Sequence, residues 1–431
     1  MNKTTKSLAD FIVKSPTAFH AVDVMKSRLE KEGFTELLEN KEWELKKGGK
    51  YFVKRNDSSI ISFKLPKAEY KGFYIIASHS DSPAFKIKEN PEMEAAGAYV
   101  TLNVEKYGGM LCAPWFDRPL SVAGRVLVKT GNKNDISAES RLVNIDKDLV
   151  MIPSLAIHMN REANDGYKYN AQKDLIPIFG DEKSKDGFMK AVAEAAGTKV
   201  ENIVSHDLFL YNRVAPTVWG AADEYVSAGR LDDLECAFGS FEGFLGAENK
   251  SNVIMHVVFD NEEVGSSTKQ GAASTFLKDT LLRINEGFKR NTEQYLMSLA
   301  ESFMVSADNA HAIHPNYTEK ADPVNRPVMN KGVVIKYNAN QKYTTDATSA
   351  AVCKLVCDKA KVPYQTFTNR SDVAGGSTLG NISGNQVAIP TVDIGMAQLA
   401  MHSPYETAGV ADLDYLIKFS KTFYSSDIAV R

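Results

Sequence analysis

The chain has 431 residues, of which 43% are hydrophobic and 24% are charged, a composition that is typical of a globular protein and excludes a disordered or fibrous one. At about 150 residues per domain, this length predicts two or three domains. The 51 Lys and Arg residues and the 54 Asp and Glu residues give a net charge of −3, so we expect neither nucleic acid nor a membrane as a partner.

The N-terminal segment and the cysteines indicate where the protein acts. The first 16 residues predict an amphipathic helix and lack the apolar core of a signal peptide. No stretch of the sequence approaches the roughly 18 consecutive apolar residues that cross a bilayer. The four cysteines form no Cys-X-X-Cys pair, which argues against a disulfide framework and a thiolate metal site. We therefore expect a cytoplasmic protein.

Four apolar segments rich in Ile, Val and Phe are each followed by polar or acidic residues and a loop. They are residues 73–77, 254–259, 303–306 and 388–392. Helical patterns lie between them, for example at residues 233–244 and 346–359. This alternation predicts an α/β fold, in which the carboxyl ends of the strands meet at one crevice. The polar residues that follow the strands are therefore expected to form one site.

Residues 86–218 have a different pattern, with clustered turn residues and short strands such as 121–128. We interpret this segment as an inserted, mostly β domain. The catalytic domain is then discontinuous, with residues 1–85 before the insertion and residues 219–431 after it.

The polar residues at the strand ends include the types that two adjacent divalent cations require. Such a pair needs one carboxylate that bridges both ions and, for each ion, a further carboxylate and an imidazole. The candidate ligands are His79, Asp232, Glu263, Asp308 and His402. Asp232, just before a predicted helix, is the candidate for the bridging residue. Three carboxylates against two divalent ions leave a charge of +1, which favours ionising a shared water to hydroxide.

Two further acids have different predicted roles. Asp81 follows His79 by two residues, a spacing that lets Asp81 hydrogen-bond the imidazole and fix its tautomer. Glu262 precedes Glu263, and in a tight turn this pair can present one carboxylate to a metal and the other to the bridging water. Glu262 is therefore predicted to be the general base. Each acid alone has an ordinary structural explanation, such as a helix N-cap for Asp232, so the prediction depends on their joint arrangement.

Eight sequence blocks occur in order over most of the chain: SHSDSPAFKIK, WFDRPLSVAGRV, SLAIHMNR, GRLDDL, FDNEEVGSSTKQGA, SADNAHAIHPNY, KYNANQKY and QLAMHSPYE. Together they resemble the aspartyl aminopeptidase family of co-catalytic zinc metallopeptidases. The resemblance implies that the five candidate ligands bind two metal ions, with Asp232 bridging and Glu262 as the base. It also implies a phosphorylase/hydrolase-like α/β/α catalytic domain with an inserted β-rich dimerisation (lid) domain, assembled into tetrahedral homododecamers.

The same resemblance assigns four residues to the substrate. His158 matches a histidine that reaches the active site of a neighbouring subunit and stabilises the tetrahedral intermediate. Lys336 and Tyr343 match the positions that receive the acidic side chain of the substrate, a group that needs a cation and a hydrogen-bond donor when it is desolvated. His311 matches a histidine near the substrate. The implied activity is metal-dependent removal of N-terminal Asp or Glu from peptides.

Several alternatives stay open at this point. An aminopeptidase of the same superfamily with neutral or broad specificity would use the same metal ligands, as would an amidohydrolase that acts on N-acyl amino acids. A non-catalytic assembly or cargo protein could also retain the fold. The nitrogen and oxygen ligands suit Zn²⁺, which the family uses, and also Co²⁺ or Mn²⁺.

Overall fold

The computed structural model describes residues 1–131 and 135–429. Its helices are α1 (Lys3–Lys14), α2 (Ala18–Lys31), α3 (Phe188–Ala195), α4 (Leu231–Leu245), α5 (Phe276–Gly287), α6 (Thr292–Ala300), α7 (Ala347–Ala360), α8 (Leu379–Ser383) and α9 (Val410–Tyr424). None of these helices combines the length and the apolar character that a membrane crossing requires.

The strands within the described residues are β1 (Thr35–Leu37), β2 (Lys50–Arg55), β3 (Ser59–Lys64), β4 (Phe73–His79), β5 (Ala84–Ala95), β6 (Tyr99–Tyr107), β7 (Leu120–Thr130), β8 (Ser137–Asn144), β9 (Ile178–Asp181), β10 (Ile203–Asn212), β11 (Thr217–Trp219), β12 (Tyr225–Ala228), β13 (Val253–Phe259), β14 (Phe303–Ala307), β15 (Ala310–His311), β16 (Val333–Lys336), β17 (Tyr364–Phe367), β18 (Thr391–Gly395), β19 (Ala397–Leu399) and β20 (Glu406–Gly409).

Nine strands form the largest sheet, in the order β1-β2-β3-β13-β4-β14-β18-β16-β17. Its centre is parallel, because β4 pairs in parallel with both β13 and β14, and β14 pairs in parallel with β18. These central strands are apolar and buried along their whole length, as expected of parallel strands that are covered on both faces. Their carboxyl ends lie at one edge of the sheet.

Two helical layers cover this sheet. Along β4, Tyr74 and Ile76 pack into a core with α1, α2, α4, α7 and α9, whereas Ile75 and Ala77 face the opposite core with α5, α6 and α8. This alternation follows from the two-residue period of a strand. Full burial of an Ile or Phe side chain contributes about 1.5–3 kcal/mol, so both layers hold the sheet in place. The fold is an α/β/α sandwich, and the predicted fold class is confirmed.

A second sheet has six antiparallel strands in the order β8-β7-β10-β5-β6-β9. This sheet has an apolar core of its own, which includes buried residues of α3. A third, small sheet has the order β11-β12-β20-β19-β15. The second sheet begins with β5 at Ala84, whereas β11 at residues 217–219 already pairs with β12 of the third sheet. The division of the chain into domains at residues 86 and 218 stays a prediction.

The strand predictions agree with the structure except near Pro390. The apolar segment 388–392 predicts a strand, but β18 begins only at Thr391. Proline has no N–H group to donate to a sheet, so it is confined to the margin of the strand. The carbonyl of Pro390 still accepts the N–H of Met304 at 2.9 Å, which aligns β18 with β14.

Candidate metal centre

The five candidate ligands meet at the carboxyl edge of the large sheet. β4 ends at His79, Asp308 follows β14 directly, and Glu263 lies in a 3-10 turn shortly after β13. Asp232 lies at the start of α4, where its backbone is not helical, and His402 lies in the loop between β19 and β20. The sequence separates these residues by up to 323 positions, and the parallel strand order brings them together.

Asp232 is shared by two groups of ligands. Its Oδ1 atom lies 3.3 Å from Nε2 of His79, which is also 3.8 Å from Oδ1 of Asp308. Its Oδ2 atom lies 3.6 Å from Nε2 of His402, which is 3.3 Å from Oε2 of Glu263. Within each group, the ligand atoms all lie within 4.8 Å of one another. The two oxygens of one carboxylate therefore face two separate sets of metal-ligand atoms.

Unpaired oxygens show that the residues fit metal ions. Oδ1 of Asp232 and Oε1 of Glu263 are buried, and neither has a hydrogen-bond partner among the described residues. A buried carboxylate oxygen without a partner is costly, and coordination of a cation removes that cost. The donor set is all nitrogen and oxygen, which suits Zn²⁺.

Asp81 organises the turn that follows β13. Its two carboxylate oxygens accept the backbone N–H groups of Glu262 and Glu263, each at 3.1 Å, and Oδ2 also accepts the hydroxyl of Tyr107 at 2.7 Å. The turn is tight, since Asn261 has φ of 62° and residues 262–264 form a 3-10 turn. Asp81 therefore fixes the backbone of the predicted base and of its neighbouring ligand.

The contact between Asp81 and His79 differs in detail from the expected one. Nδ1 of His79 lies 3.1 Å from the backbone carbonyl of Asp81 and 3.4 Å from its Oδ1 atom. The carbonyl can only accept, so it fixes a proton on Nδ1 and leaves Nε2 free to face Asp232. The tautomer is set mainly by the backbone of Asp81.

Three residues near the ligands were missed by the sequence reasoning. Asp233 accepts the backbone N–H of His79 at 3.2 Å and belongs to the same group of ligand atoms. Glu406 accepts the backbone N–H groups of two ligands, and Tyr107 connects the second sheet to Asp81. Asp233 adjoins Asp232 and Glu406 lies four residues after His402, and this proximity was a local signal that could have pointed to them. The contacts of Asp233 with His79 and of Glu406 with Asp232 span 154 and 174 positions and depend on the tertiary fold.

Burial and mutual repulsion change the pKa values of the acids in this centre. Burial raises the pKa of Glu262 to about 8, and the nearby Asp308 and Asp81 carboxylates add to this effect. Burial and the charge of Asp232 raise the pKa of Glu263 well above its ordinary value. Such crowding of carboxylates is relieved when cations are present, which is a second reason to assign this cluster to metal.

Lys336, Tyr343 and His311 lie beside this cluster. Lys336 is buried at the end of β16, and its Nζ atom donates to the carbonyl of Asp308 at 2.7 Å and lies 3.2 Å from Oδ2 of Asp308. This ammonium holds the pKa of Asp308 below its usual range, although burial acts in the opposite direction. Nζ also lies 5.1 Å from the ring centroid of Tyr343. His311 ends β15 and packs 6.1 Å from the ring of Phe367.

His158 is not part of this cluster within the chain. It lies in an exposed turn between residues 153 and 160, where Leu155, Ile157 and Met159 are also exposed. The structure therefore brings together the five candidate ligands with Asp81, Glu262 and Lys336, and leaves His158 on the surface.

The sequence matches the family described as aminopeptidase I zinc metalloprotease (M18) over residues 11–424. The chain belongs to the M18 family of zinc aminopeptidases. A Clostridium acetobutylicum protein named probable M18 family aminopeptidase 2 is 48% identical over 426 residues, which are 97% of this chain and 98% of that protein. The aspartyl aminopeptidase family that the motifs resemble is this M18 family, so that prediction is confirmed.

Solved structures are similar over nearly the whole chain. A chain from the cryo-EM structure of the Ape4 and Nbr1 complex has a TM-score of 0.94 and 36% identity, covering 98% of this chain and 85% of that one. The S. cerevisiae mApe1 dodecamer has a TM-score of 0.86 and 27% identity, covering 98% of this chain and 96% of that one. As a member of the M18 family, the protein is a hydrolase that acts on peptides. Its cluster of His, Asp and Glu side chains fits a metalloenzyme.

Proposed function

We propose that this M18 aminopeptidase holds two divalent ions, most suitably Zn²⁺, and removes N-terminal acidic residues from peptides. The observation that carries the proposal is the arrangement of Asp232, whose Oδ1 faces His79 and Asp308 and whose Oδ2 faces His402 and Glu263. One residue in this position can serve both ions. Bound ions would polarise the scissile carbonyl and lower the pKa of water.

The side chains around the ligands suggest how protons move. Glu262 is not a member of either group centred on Asp232, but it forms a third, overlapping group with His79 and Glu263. Its carboxylate is therefore close enough to take a proton from the attacking water and to return it to the leaving amine. Its backbone N–H is held by Asp81, which fixes the position from which the carboxylate extends.

Lys336 and Tyr343 support a preference for acidic side chains. Lys336 brings a buried positive charge to the wall of the metal centre, directly beside Asp308. Tyr343 is itself buried, and its ring centroid lies 5.1 Å from this ammonium. A substrate carboxylate in this place would gain a cation and a donor, which together offset the cost of its desolvation.

One observation favours the alternative of a neutral or broad specificity. The ammonium of Lys336 has three N–H donors, and three oxygens of Asp308 and Asn309 lie within 3.4 Å of its Nζ atom. An acidic substrate would have to share this ammonium with Asp308. If the substrate does not share this ammonium, Lys336 serves only to hold Asp308 in place, and other residues determine the substrate specificity.

Hydrolysis rates for Asp-, Glu- and Leu-anilides separate the two specificities. With the wild type we expect kcat/KM for the acidic substrates to exceed that for Leu. Lys336→Met should reduce kcat/KM for Asp and Glu by about 10- to 100-fold more than for Leu, because a hydrogen bond to a charged group is lost only with the acidic substrates. Tyr343→Phe is a second variant that leaves Asp308 untouched.

The control for this experiment is the zinc content of each variant, since Lys336 also contacts a candidate ligand. An equal loss of kcat/KM for Leu and for the acidic substrates, at unchanged zinc content, would exclude the acid pocket.

N-acetyl amino acids should not be hydrolysed by the wild type. Their hydrolysis would point to an amidohydrolase, and a wild type without metal or activity would point to a non-catalytic assembly protein.

We also propose that the chain assembles with copies of itself into a tetrahedral dodecamer, in which His158 of one copy reaches the centre of another. Leu155 and Met159, on either side of His158, are 56% and 70% exposed, and exposed apolar side chains of this kind are typical of interfaces. The similarity to the mApe1 dodecamer supports this proposal.

The four free cysteines fit a reducing compartment such as the cytoplasm.

A further inference from the structure

Glu406 contacts the backbone of two metal ligands at once. It is the first residue of β20, only 1% exposed, and held in the third sheet by pairing with Ala228. Its Oε1 atom accepts the N–H of His402 at 2.8 Å, and its Oε2 atom accepts the N–H of Asp232 at 3.0 Å. One rigidly held carboxylate therefore connects two ligands that are 170 residues apart in the sequence.

Neither N–H group has a partner in regular secondary structure. His402 has φ of 67°, in the left-handed region that non-glycine residues rarely occupy. Asp232 lies in the first turn of α4 with a non-helical backbone, where N–H groups have no partner within the helix. Glu406 supplies the acceptor at both positions. The backbone of each ligand is thus held by the same side chain.

We infer that Glu406 is a positioning residue that sets the distance between Asp232 and His402, and thereby completes the second of the two proposed ion sites. This inference rests on the proposed function, since it assumes that Asp232, Glu263 and His402 hold one of the two ions. Glu406 does not itself contact the ligand atoms of that group. It acts through the backbone of two members, and the third, Glu263, is held separately by Asp81.

The role requires a carboxylate of the length of glutamate. Both oxygens act as acceptors, and each faces a different N–H group. In Glu406→Gln one of the two oxygens becomes an NH₂ group, which donates and cannot accept. This group would face the backbone N–H of Asp232 or of His402, and the backbone of that ligand would no longer be held. In Glu406→Asp both acceptors remain, but the side chain is one methylene shorter and cannot reach both N–H groups from β20.

The test compares zinc binding by Glu406→Gln with that of a matched control. Asp412, in α9, is likewise buried and likewise accepts two backbone N–H groups, from Asn330 at 2.6 Å and Gly332 at 2.8 Å. Asp412→Asn thus makes the same chemical change at a place that contacts no ligand. Zinc per subunit is measured by plasma mass spectrometry after dialysis, and affinity by competition with a chromophoric chelator, on the full-length protein.

We expect the wild type and Asp412→Asn to bind two zinc ions per subunit. Glu406→Gln should bind the second ion about 10- to 100-fold more weakly, and the first ion, which depends on Asp232 but not on His402, should be weakened less. Glu406→Asp should show the same selective weakening. In both Glu406 variants kcat should fall, and excess zinc should restore part of it.

Three outcomes would overturn the assignment. Two tightly bound ions in Glu406→Gln would show that Glu406 does not position the ligands. Equal weakening in Asp412→Asn would show a general effect of lost stability. Failure of both Glu406 variants to fold, while Asp412→Asn folds, would make Glu406 a requirement for folding. A wild type that binds only one ion would instead refute the proposed function.

Discussion

The metal centre and the turn that carries His158 differ in how firmly the single chain holds their side chains. His79 and Asp232 are 1% and 2% exposed, and their backbones are held by Asp233 and Glu406. His158 is exposed in a turn whose neighbouring side chains are exposed as well. Both regions carry histidines that the family resemblance links to catalysis.

This difference indicates which functions one chain can perform alone. A ligand must stay within a few tenths of an ångström of its place, so it is buried and hydrogen-bonded. A residue that acts in a neighbouring subunit has no partner in its own chain and stays on the surface. Metal binding should therefore depend on one subunit, whereas full turnover should depend on the assembly.

The largest expected effect is that of Glu262→Gln. We expect kcat to fall about 10³-fold, within the range lost with a general base, while zinc content stays at two ions per subunit. The amide keeps the size of the side chain but cannot accept a proton. Single-turnover rates with an acidic anilide, together with zinc analysis, measure both quantities.

Glu263→Gln makes the same chemical change at the next residue and serves as the comparison for Glu262→Gln. Glu263 is a candidate ligand, so its variant should lose activity together with zinc. Zinc loss in Glu262→Gln, or a fall in kcat of less than about tenfold, would contradict the separation of base and ligand within this pair.

A smaller effect is expected for His158→Ala. Loss of one hydrogen-bond donor to the oxyanion should lower kcat about 10²-fold. Because His158 is exposed in its own subunit and lies outside the metal centre, the zinc content should not change. Lys168→Ala, at an exposed position ten residues further along the chain, should leave kcat unchanged. Equal rates for wild type and His158→Ala would remove His158 from the reaction and leave the buried centre as the complete site.

The sequence predicted the parts of the centre that have a local pattern. His79 and Asp308 follow apolar runs that are typical of strands in an α/β sheet, and parallel strands place their carboxyl ends together. The tight turn at Glu262 and Glu263 was also predictable, because it follows such a strand. The placement of these residues at one edge agrees with the structure.

Contacts that depend on the tertiary fold were not predictable in this way. Glu406 begins β20 and Tyr107 ends β6, and the arrangement of the three sheets brings Glu406 to Asp232 and Tyr107 to Asp81. The contact of Lys336 with Asp308 is of the same kind, because it joins β16 to the end of β14. Residues that support a site through long-range hydrogen bonds leave no periodic signal in a sequence.

The most direct test of two ions that share Asp232 is the zinc content of Asp232→Ala compared with that of His402→Ala, each as folded protein. If Asp232 serves both ions, Asp232→Ala should lose both, whereas His402→Ala should lose one and retain the ion near His79 and Asp308. One tightly bound zinc ion per subunit in Asp232→Ala would contradict the shared carboxylate.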